Sequence, residues 1–339
     1  MSKRKGDVTF KDMAQLTDEP LMSLRVEDLM HVPNLGVEPP IQPPPEKWVN
    51  TYELSLDGHS PLGFPKPKTE AEKAKLVEGF LSGLEKLFDP QNNWTFLKIL
   101  RLTMDYCMRC QTCSDACHVY AASGEQEVYR PTFRSEVLRR LYKRYFTPGG
   151  KLLKSFVGAD VVLNYKTVIR LLESAYRCNV CRRCVQVCPM GIDNALITRE
   201  IRKLFSQEMG ISPRELGEKG TRQQLKTGSS TGMSPTGFKD IIEFIEDDIG
   251  EKTGKNIKIP VDKKGADILL IHNAGEYLSW PENPAAFAIL FDAAGIDYTL
   301  SSEHIGYDGV NYGLFCDDVE AARIALKHLV IAKQLGVRK

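Results

Sequence analysis

Eight of the nine cysteines in this chain fall into two clusters with identical internal spacing. The first is CMRCQTCSDAC, with Cys107, Cys110, Cys113 and Cys117; the second is CNVCRRCVQVCP, with Cys178, Cys181, Cys184 and Cys188, followed by Pro189. Both read C-x2-C-x2-C-x3-C. Thiolates are the ligands of soft metal centres, and this spacing suits a cubane. Two intervening residues let a tight turn aim successive thiolates, and the backbone N–H groups between them, at one cluster. Three residues bring in the fourth cysteine from the start of a following helix, facing the other way. Structural zinc also uses C-x2-C pairs, but it has no role for a third evenly spaced cysteine and a fourth at x3. Two repeats of the full pattern therefore point to iron–sulfur, with a zinc-binding structural protein as the outside reading. The ninth cysteine, Cys316, stands alone.

The second run, with its terminal proline, resembles that of bacterial two-cluster ferredoxins, where the fourth cysteine ligates the other cluster. The resemblance implies that Cys107, Cys110, Cys113 and Cys188 hold one [4Fe–4S] cluster, and that Cys178, Cys181, Cys184 and Cys117 hold the second. Each site would then be anionic. Arg109, Arg177, Arg182 and Arg183, in or beside the runs, are expected to offset that charge or to lie solvated.

The rest of the composition narrows the chemistry. The chain has 339 residues and, at ~150 residues per domain, is long enough for two units with real cores. Its 45 basic and 44 acidic side chains give a net charge of +1, so no basic surplus argues for nucleic-acid binding. No apolar run approaches the ~20 residues of a membrane span. The opening MSKRKGDVTFKDMAQ has no apolar segment behind its basic residues, so no secretory signal is expected, and metal or redox use of the cysteines is favoured over disulfides. No GxGxxG or GxxxxGK[ST] loop supports nucleotide binding.

These cysteines must be positioned by helices. Nine of the 19 prolines lie between Pro33 and Pro67, and residues 1–68 read as an extended segment with apolar anchors at Trp48, Tyr52, Leu54 and Phe64. Thr69 with Glu72 forms a capping box that opens a helix with Leu76, Val77, Phe80, Leu81, Leu84, Leu87 and Phe88 on one stripe. Further helices are expected near 94–106, 135–146, 165–177 and 193–209, the third with Val168, Ile169, Leu172 and Tyr176 inward. Each cysteine run thus sits between helices, and 60 residues separate Cys117 from Cys178. That is a helical ferredoxin arrangement over 69–210. Residues 130–154 carry eight Lys/Arg against Glu136 alone, with Tyr142, Tyr145 and Phe146 between them. This stretch suits either docking to an anionic surface or the solvated face of an amphipathic helix.

Residues 211–237 are rich in Gly, Ser and Pro and read as a flexible linker. From 238 the pattern alternates: a helix at 237–249, the strand ADILLIH, a helix from Asn283-Pro284 to Gly295, a strand at 297–300, an apolar piece at Leu314–Phe315, and a helix capped by Asp317 with Glu320 and ended by Gly336. Alternation implies a parallel α/β sheet. The next strand would begin where the chain stops, so the expectation is an incomplete piece of a longer polypeptide, or a sheet completed by a partner. The whole is mainly α, followed by a partial α/β domain over 238–339.

Residues 95–210 resemble the electron-transfer module of heterodisulfide reductase-like iron–sulfur proteins. The stretch from 266 resembles the opening of their cysteine-rich (CCG-type) catalytic domain. Within that family, YCMRCQTCSDACHVY and NAGEYLSWPENPAAF look like the DsrK-type subunit of the membrane complex accompanying dissimilatory sulfite reductase. DAAGIDYTL keeps the usual helix end, whereas IHNAGEYLSW lacks the usual cysteine and LFCDD retains only Cys316, read as a buried structural thiol rather than a ligand. The resemblance implies an oxidoreductase subunit acting on sulfur groups, cytoplasmic and peripheral on the inner face of the membrane. It would relay electrons between a membrane cytochrome b or quinone pool and a disulfide or trisulfide of a small cysteine-tailed sulfur-carrier protein, inside a hetero-oligomeric complex. Its catalytic part, with a further non-cubane [4Fe–4S] cluster, would belong to a longer form of the chain. The alternative is the iron–sulfur subunit of a glycolate, lactate or glycerol-3-phosphate oxidase system, which shares the same module.

Overall fold

A computed structural model describes residues 46–53, 64–93, 97–213, 216, 220–309 and 317–338. Leu314–Phe315, Cys316, Trp94 and most of the Pro-rich segment lie outside the described residues. The chain divides into two compact units, Met1–Ser212 and Pro213–Lys339.

The first unit begins with a short helix α1 (Glu46–Thr51) and an antiparallel pair, β1 (Tyr52–Glu53) with β2 (Phe64–Pro65). The expected extended segment is therefore locally paired here: Lys66 N–H donates to Thr51 O, and Phe64 is buried against Tyr176. Next come α2 (Glu70–Phe88), α3 (Leu97–Tyr106), the single turn α4 (Thr112–Asp115), α5 (His118–Ala122), α6 (Pro131–Phe146), α7 (Pro148–Leu153), α8 (Tyr165–Arg177), the single turn α9 (Arg183–Gln186) and α10 (Asn194–Lys203). A π-helical turn, Leu204–Glu208, extends α10.

Local chemistry sets these boundaries. Thr69 and Glu72 close the capping box at the start of α2, and Asn164 caps α8 by accepting from Thr167 N–H. Pro131 opens α6 where no N–H is needed, four residues before the expected start. The core joins Phe80, Leu84 and Leu100 to Leu138, Leu141, Leu171, Leu172, Ile197, Ile201 and Phe205. Gly83 of α2 lets Leu204 approach so closely that a Cβ there would stand 3.0 Å from Leu204 Cγ.

The second unit contains α11 (Arg222–Thr227), α12 (Pro235–Thr253), β3 (Ile268–Leu269), α13 (Ala274–Ser279), α14 (Glu282–Ala294), β4 (Tyr298–Thr299) and α15 (Asp318–Leu335). β3 and β4 pair parallel, Ile268 with Tyr298 and Leu269 with Thr299. The helix caps fall where the sequence places them: Asp317 accepts from Val319 and Glu320 N–H, and Gly295 and Gly336 end α14 and α15 in the left-handed conformation. Phe238, Ile242, Ile245 and Ile249 of α12 pack with Tyr277, Ala288 and Leu300.

The expected flexible linker needs correction over 220–237. Gln224 on α11 is fully buried, donating to Gly306 O at 2.7 Å and accepting from Gly309 N–H at 2.5 Å, while Ser229 bridges to Ile305. A Gly/Ser-rich composition here serves tight packing: Gly228, at φ 82°, would place a Cβ 1.9 Å from Glu303 O.

Candidate functional site

Helix ends carry the two cysteine runs. α3 ends at Tyr106 and hands over to Cys107; α8 ends at Arg177 and hands over to Cys178, whose N–H closes on Ala175 O. In each run the third cysteine lies inside a single helical turn, Cys113 in α4 and Cys184 in α9. Those two turns contact each other. Cys117 and Cys188 follow the turns, and Cys117 is the N-cap of α5.

The two loops are conformational copies. Arg109 and Val180 occupy the same place in their runs and have φ of 55° and 56°; Gln111 and Arg182 do likewise, at 66° and 61°. Four non-glycine residues in the left-handed region, one of them β-branched, are costly, and such strain collects where the surrounding structure demands a particular backbone. The first loop is held by Thr132 Oγ1 donating to Gln111 Oε1 at 2.9 Å, the second by Arg182 Nη2 donating to Asp193 Oδ2 at 2.7 Å. Left-handed geometry costs an L-residue ~1–2 kcal/mol, and glycine returns part of that gain to unfolded-chain entropy. Val180→Gly is therefore expected to leave the cysteine geometry intact and to stabilise the first unit by about 0.5–1 kcal/mol, read as a raised Tm.

The fourth cysteine of the second run does not stay with its own run. Cys107, Cys110, Cys113 and Cys188 line one hollow with Arg109, Thr132, Ile192 and Asn194, and the hollow is partly open to solvent. On the other side, Cys178 and Cys117 act electrostatically on Cys184. Cys110 and Cys181 are exposed, Cys113 is buried and the other five are half-buried. Among the described residues no three His, Cys, Asp or Glu side chains converge on a single-ion position.

The electrostatics fit a cation-rich group between the thiols. Burial and the neighbouring Cys184, Cys107, Cys110 and Cys188 push the Cys113 thiol up to about 12. Burial raises Cys107 as well, against the lowering effect of the Arg109 N–H. Burial and Cys178 push Cys184 up to about 11. Four thiolates around one hollow repel, and iron charge at the centre relieves that repulsion. Backbone donors already point at sulfur: Val180 N–H to Cys178 at 3.4 Å and Ile192 N–H to Cys188 at 3.3 Å. Such bonds help set a cluster's potential. Cys178 differs from the others. Burial works to raise it, but Arg134, the Val180 N–H, the Thr198 hydroxyl and Arg202 together draw it below its ordinary value.

Of the four arginines in or beside the runs, Arg109 lines the first hollow, Arg177 is paired with Glu173 at 2.8 Å and Arg182 is paired with Asp193 at 2.7 Å. The cations acting on Cys178 come from the packed helices α6 and α10. In the basic stretch 130–154, Arg130, Arg134 and Arg140 are buried and Glu136 binds both Arg139 and Arg140, whereas Lys151 and Lys154 are exposed. Sequence reading missed these buried charges because a helical arginine looks the same facing water or a cluster. The one available signal was arginines three and four residues apart beside Phe133, Val137 and Leu141 on a single helix.

The model of a 4Fe-4S dicluster domain matches residues 103–192. The chain is 33% identical over 241 residues to the Hdr-like menaquinol oxidoreductase iron-sulfur subunit 2 of Archaeoglobus fulgidus, covering 70% of this chain and 43% of that protein. It is 29% identical over 245 residues to the Hdr-like menaquinol oxidoreductase iron-sulfur subunit of Archaeoglobus profundus, covering 71% of this chain and 43% of the relative. The chain thus spans less than half the length of these curated relatives. No solved structure matches it. The dicluster match and the two thiol sets agree: this protein carries two [4Fe–4S] clusters.

Proposed function

We propose that the chain is the electron-relaying part of an Hdr-like menaquinol oxidoreductase, passing single electrons between its two [4Fe–4S] clusters. The observation that carries this reading is the interlocked placement of the cysteines, with Cys188 facing the hollow of the first run and Cys117 lying near Cys184. Two sites that share ligands across their runs are held close together, as a one-electron relay requires. Cys107, Cys110, Cys113 and Cys188 hold one cluster in this reading, and Cys178, Cys181, Cys184 and Cys117 hold the other. A [4Fe–4S] cubane supplies one reversibly held electron. The protein's own residues would hold the cluster in place and donate hydrogen bonds to sulfur, with Ile192 and Pro189 among the apolar residues lining the first hollow.

The relatives' names support menaquinol as the ultimate electron source or sink. No described helix is long and apolar enough to cross a membrane, so exchange with the quinone pool calls for a membrane subunit, which we assign as a cytochrome b. The proposed location is peripheral, on the cytoplasmic face. The terminal substrate, by resemblance to the DsrK type, is a disulfide or trisulfide of a sulfur-carrier protein, with the reactive centre in the remaining part of a longer protein.

The test is anaerobic purification from native membranes, followed by iron and sulfide analysis and partner identification. The expected result is at least eight non-haem irons and eight sulfides per chain, a co-purifying cytochrome b, and cluster reduction by a menaquinol analogue. A flavoprotein partner in place of the cytochrome would move the assignment to a glycolate, lactate or glycerol-3-phosphate oxidase system.

A further inference from the structure

The two thiol sites differ in their fixed surroundings. Arg134, in the first turn of α6, is 3% exposed. Its Nη1 donates to Ser174 O at 3.2 Å, in the last turn of the helix that delivers Cys178, while its Nε is buried with no hydrogen-bond partner. Among the described residues no carboxylate lies within ion-pair distance of it. The other buried cations of α6 and its N-cap each have one: Arg140 has Glu136 and Arg130 has Glu127. A buried cation without a counter-ion costs several kcal/mol, so such a group implies an anion that belongs beside it. The Ser174 carbonyl that Arg134 binds lies four residues before Cys178, the residue that caps this helix. Arg202 reinforces it from α10, donating to Ala175 O at 2.9 Å and to Cys178 O and stacking on Tyr176 at 5.1 Å. The hollow of the first run is instead lined by Arg109, which is exposed, so its charge meets solvent rather than the protein interior.

We propose that Arg134 is the fixed counter-charge of the cluster held by Cys178, Cys181, Cys184 and Cys117, and that it sets that cluster's reduction potential above that of its neighbour. The inference rests on the ligand sets proposed above. Reduction adds one negative charge, which a fixed cation in a low-dielectric surrounding stabilises more than it stabilises the oxidised state. When one electron passes from the first cluster to the second, the first is oxidised and the second reduced by the same charge. Arg134 therefore gives the relay a downhill sense towards the second run. It is a positioning charge, not a ligand.

The experiment is an EPR-monitored reductive titration of the full anaerobically loaded chain, comparing wild type with Arg134→Gln. Two one-electron waves are expected in the wild type. In R134Q the higher wave falls by at least the equivalent of tenfold in the electron-partition constant, about 59 mV for one electron, while the lower wave stays. Waves that do not move, that move together, or a shift confined to the lower wave would overturn the proposal. If R134Q does not keep its clusters, Arg134→Lys decides. Full loading with both waves at wild-type potentials shows that the charge is what the site requires. Failure to load, or a shifted higher wave despite the retained charge, would make the hydrogen bond to Ser174 a structural strut and overturn the assignment. Failure of the underlying two-cluster ligand reading would be visible separately, as iron below eight per wild-type chain.

Discussion

Replacing Cys188 by serine is expected to empty the site of the other cysteine run. Iron should fall from eight to about four per chain, and the spectrum of the surviving cluster should match that of Cys107→Ser rather than Cys178→Ser. The reason is geometric. Cys188 lies only four residues beyond Cys184, yet its thiol lines the hollow formed by Cys107, Cys110 and Cys113. The turn α9 lies between Cys181 and Cys188, and the contact between α4 and α9 holds the two runs against each other. Ile192 N–H is already aimed at the same sulfur. A hydroxyl in place of a thiolate binds a soft iron site poorly, and a cubane with three protein ligands and an open corner is oxidised and lost in air. Cys117→Ser should give the reciprocal result, matching Cys178→Ser. Were C188S to match C178S instead, each run would serve its own cluster and the crossed arrangement would be wrong.

Glu136→Gln should cost the first unit about 3–5 kcal/mol, the loss expected when one partner of a buried ion pair is removed. Glu136 is 3% exposed and accepts from Arg139 Nη2 at 2.6 Å, Arg139 Nε at 2.8 Å and Arg140 Nε at 3.0 Å. Arg140, at 1% exposure among the largest fully buried side chains, also donates to Asp160 O at 3.1 Å. Without the carboxylate, its guanidinium sits in the core with its charge uncompensated by Glu136. For a unit of this size the effect corresponds to a drop in Tm of roughly 10 °C. The second unit has its own core, so its melting transition should not move. A loss below about 1 kcal/mol would show that water reaches the pair, as it does in surface salt bridges.

These two results bear on different layers of the molecule. Helix positions were legible in the sequence because caps and apolar stripes are local: Thr69 with Glu72, Gly295, Asp317 and Gly336 each act through neighbours a few residues away. The parallel pairing of 268–269 with 298–299 was legible from the alternation of elements. What was not legible depended on distant partners. The Gly/Ser-rich stretch near 228 reads as a loose linker until Glu303 and Gly306 are seen packed against it. The basic run of α6 reads as a surface until Glu136, Ser174 and the thiols are seen to receive it.

By itself the sequence determined the chemistry: eight thiols at repeated short spacing, which a local turn converts into cluster ligands wherever the chain is placed. Only the tertiary structure decided which thiols share a hollow and which charges face them. Ligation within a run depends on backbone spans of two or three residues, and those are written in the order of the letters. The approach of Cys188 to Cys107, and of Arg134 to Cys178, depends on how α6, α8 and α10 pack across 40 or more residues of chain. At that range helical periodicity says that a face is buried but not what it is buried against.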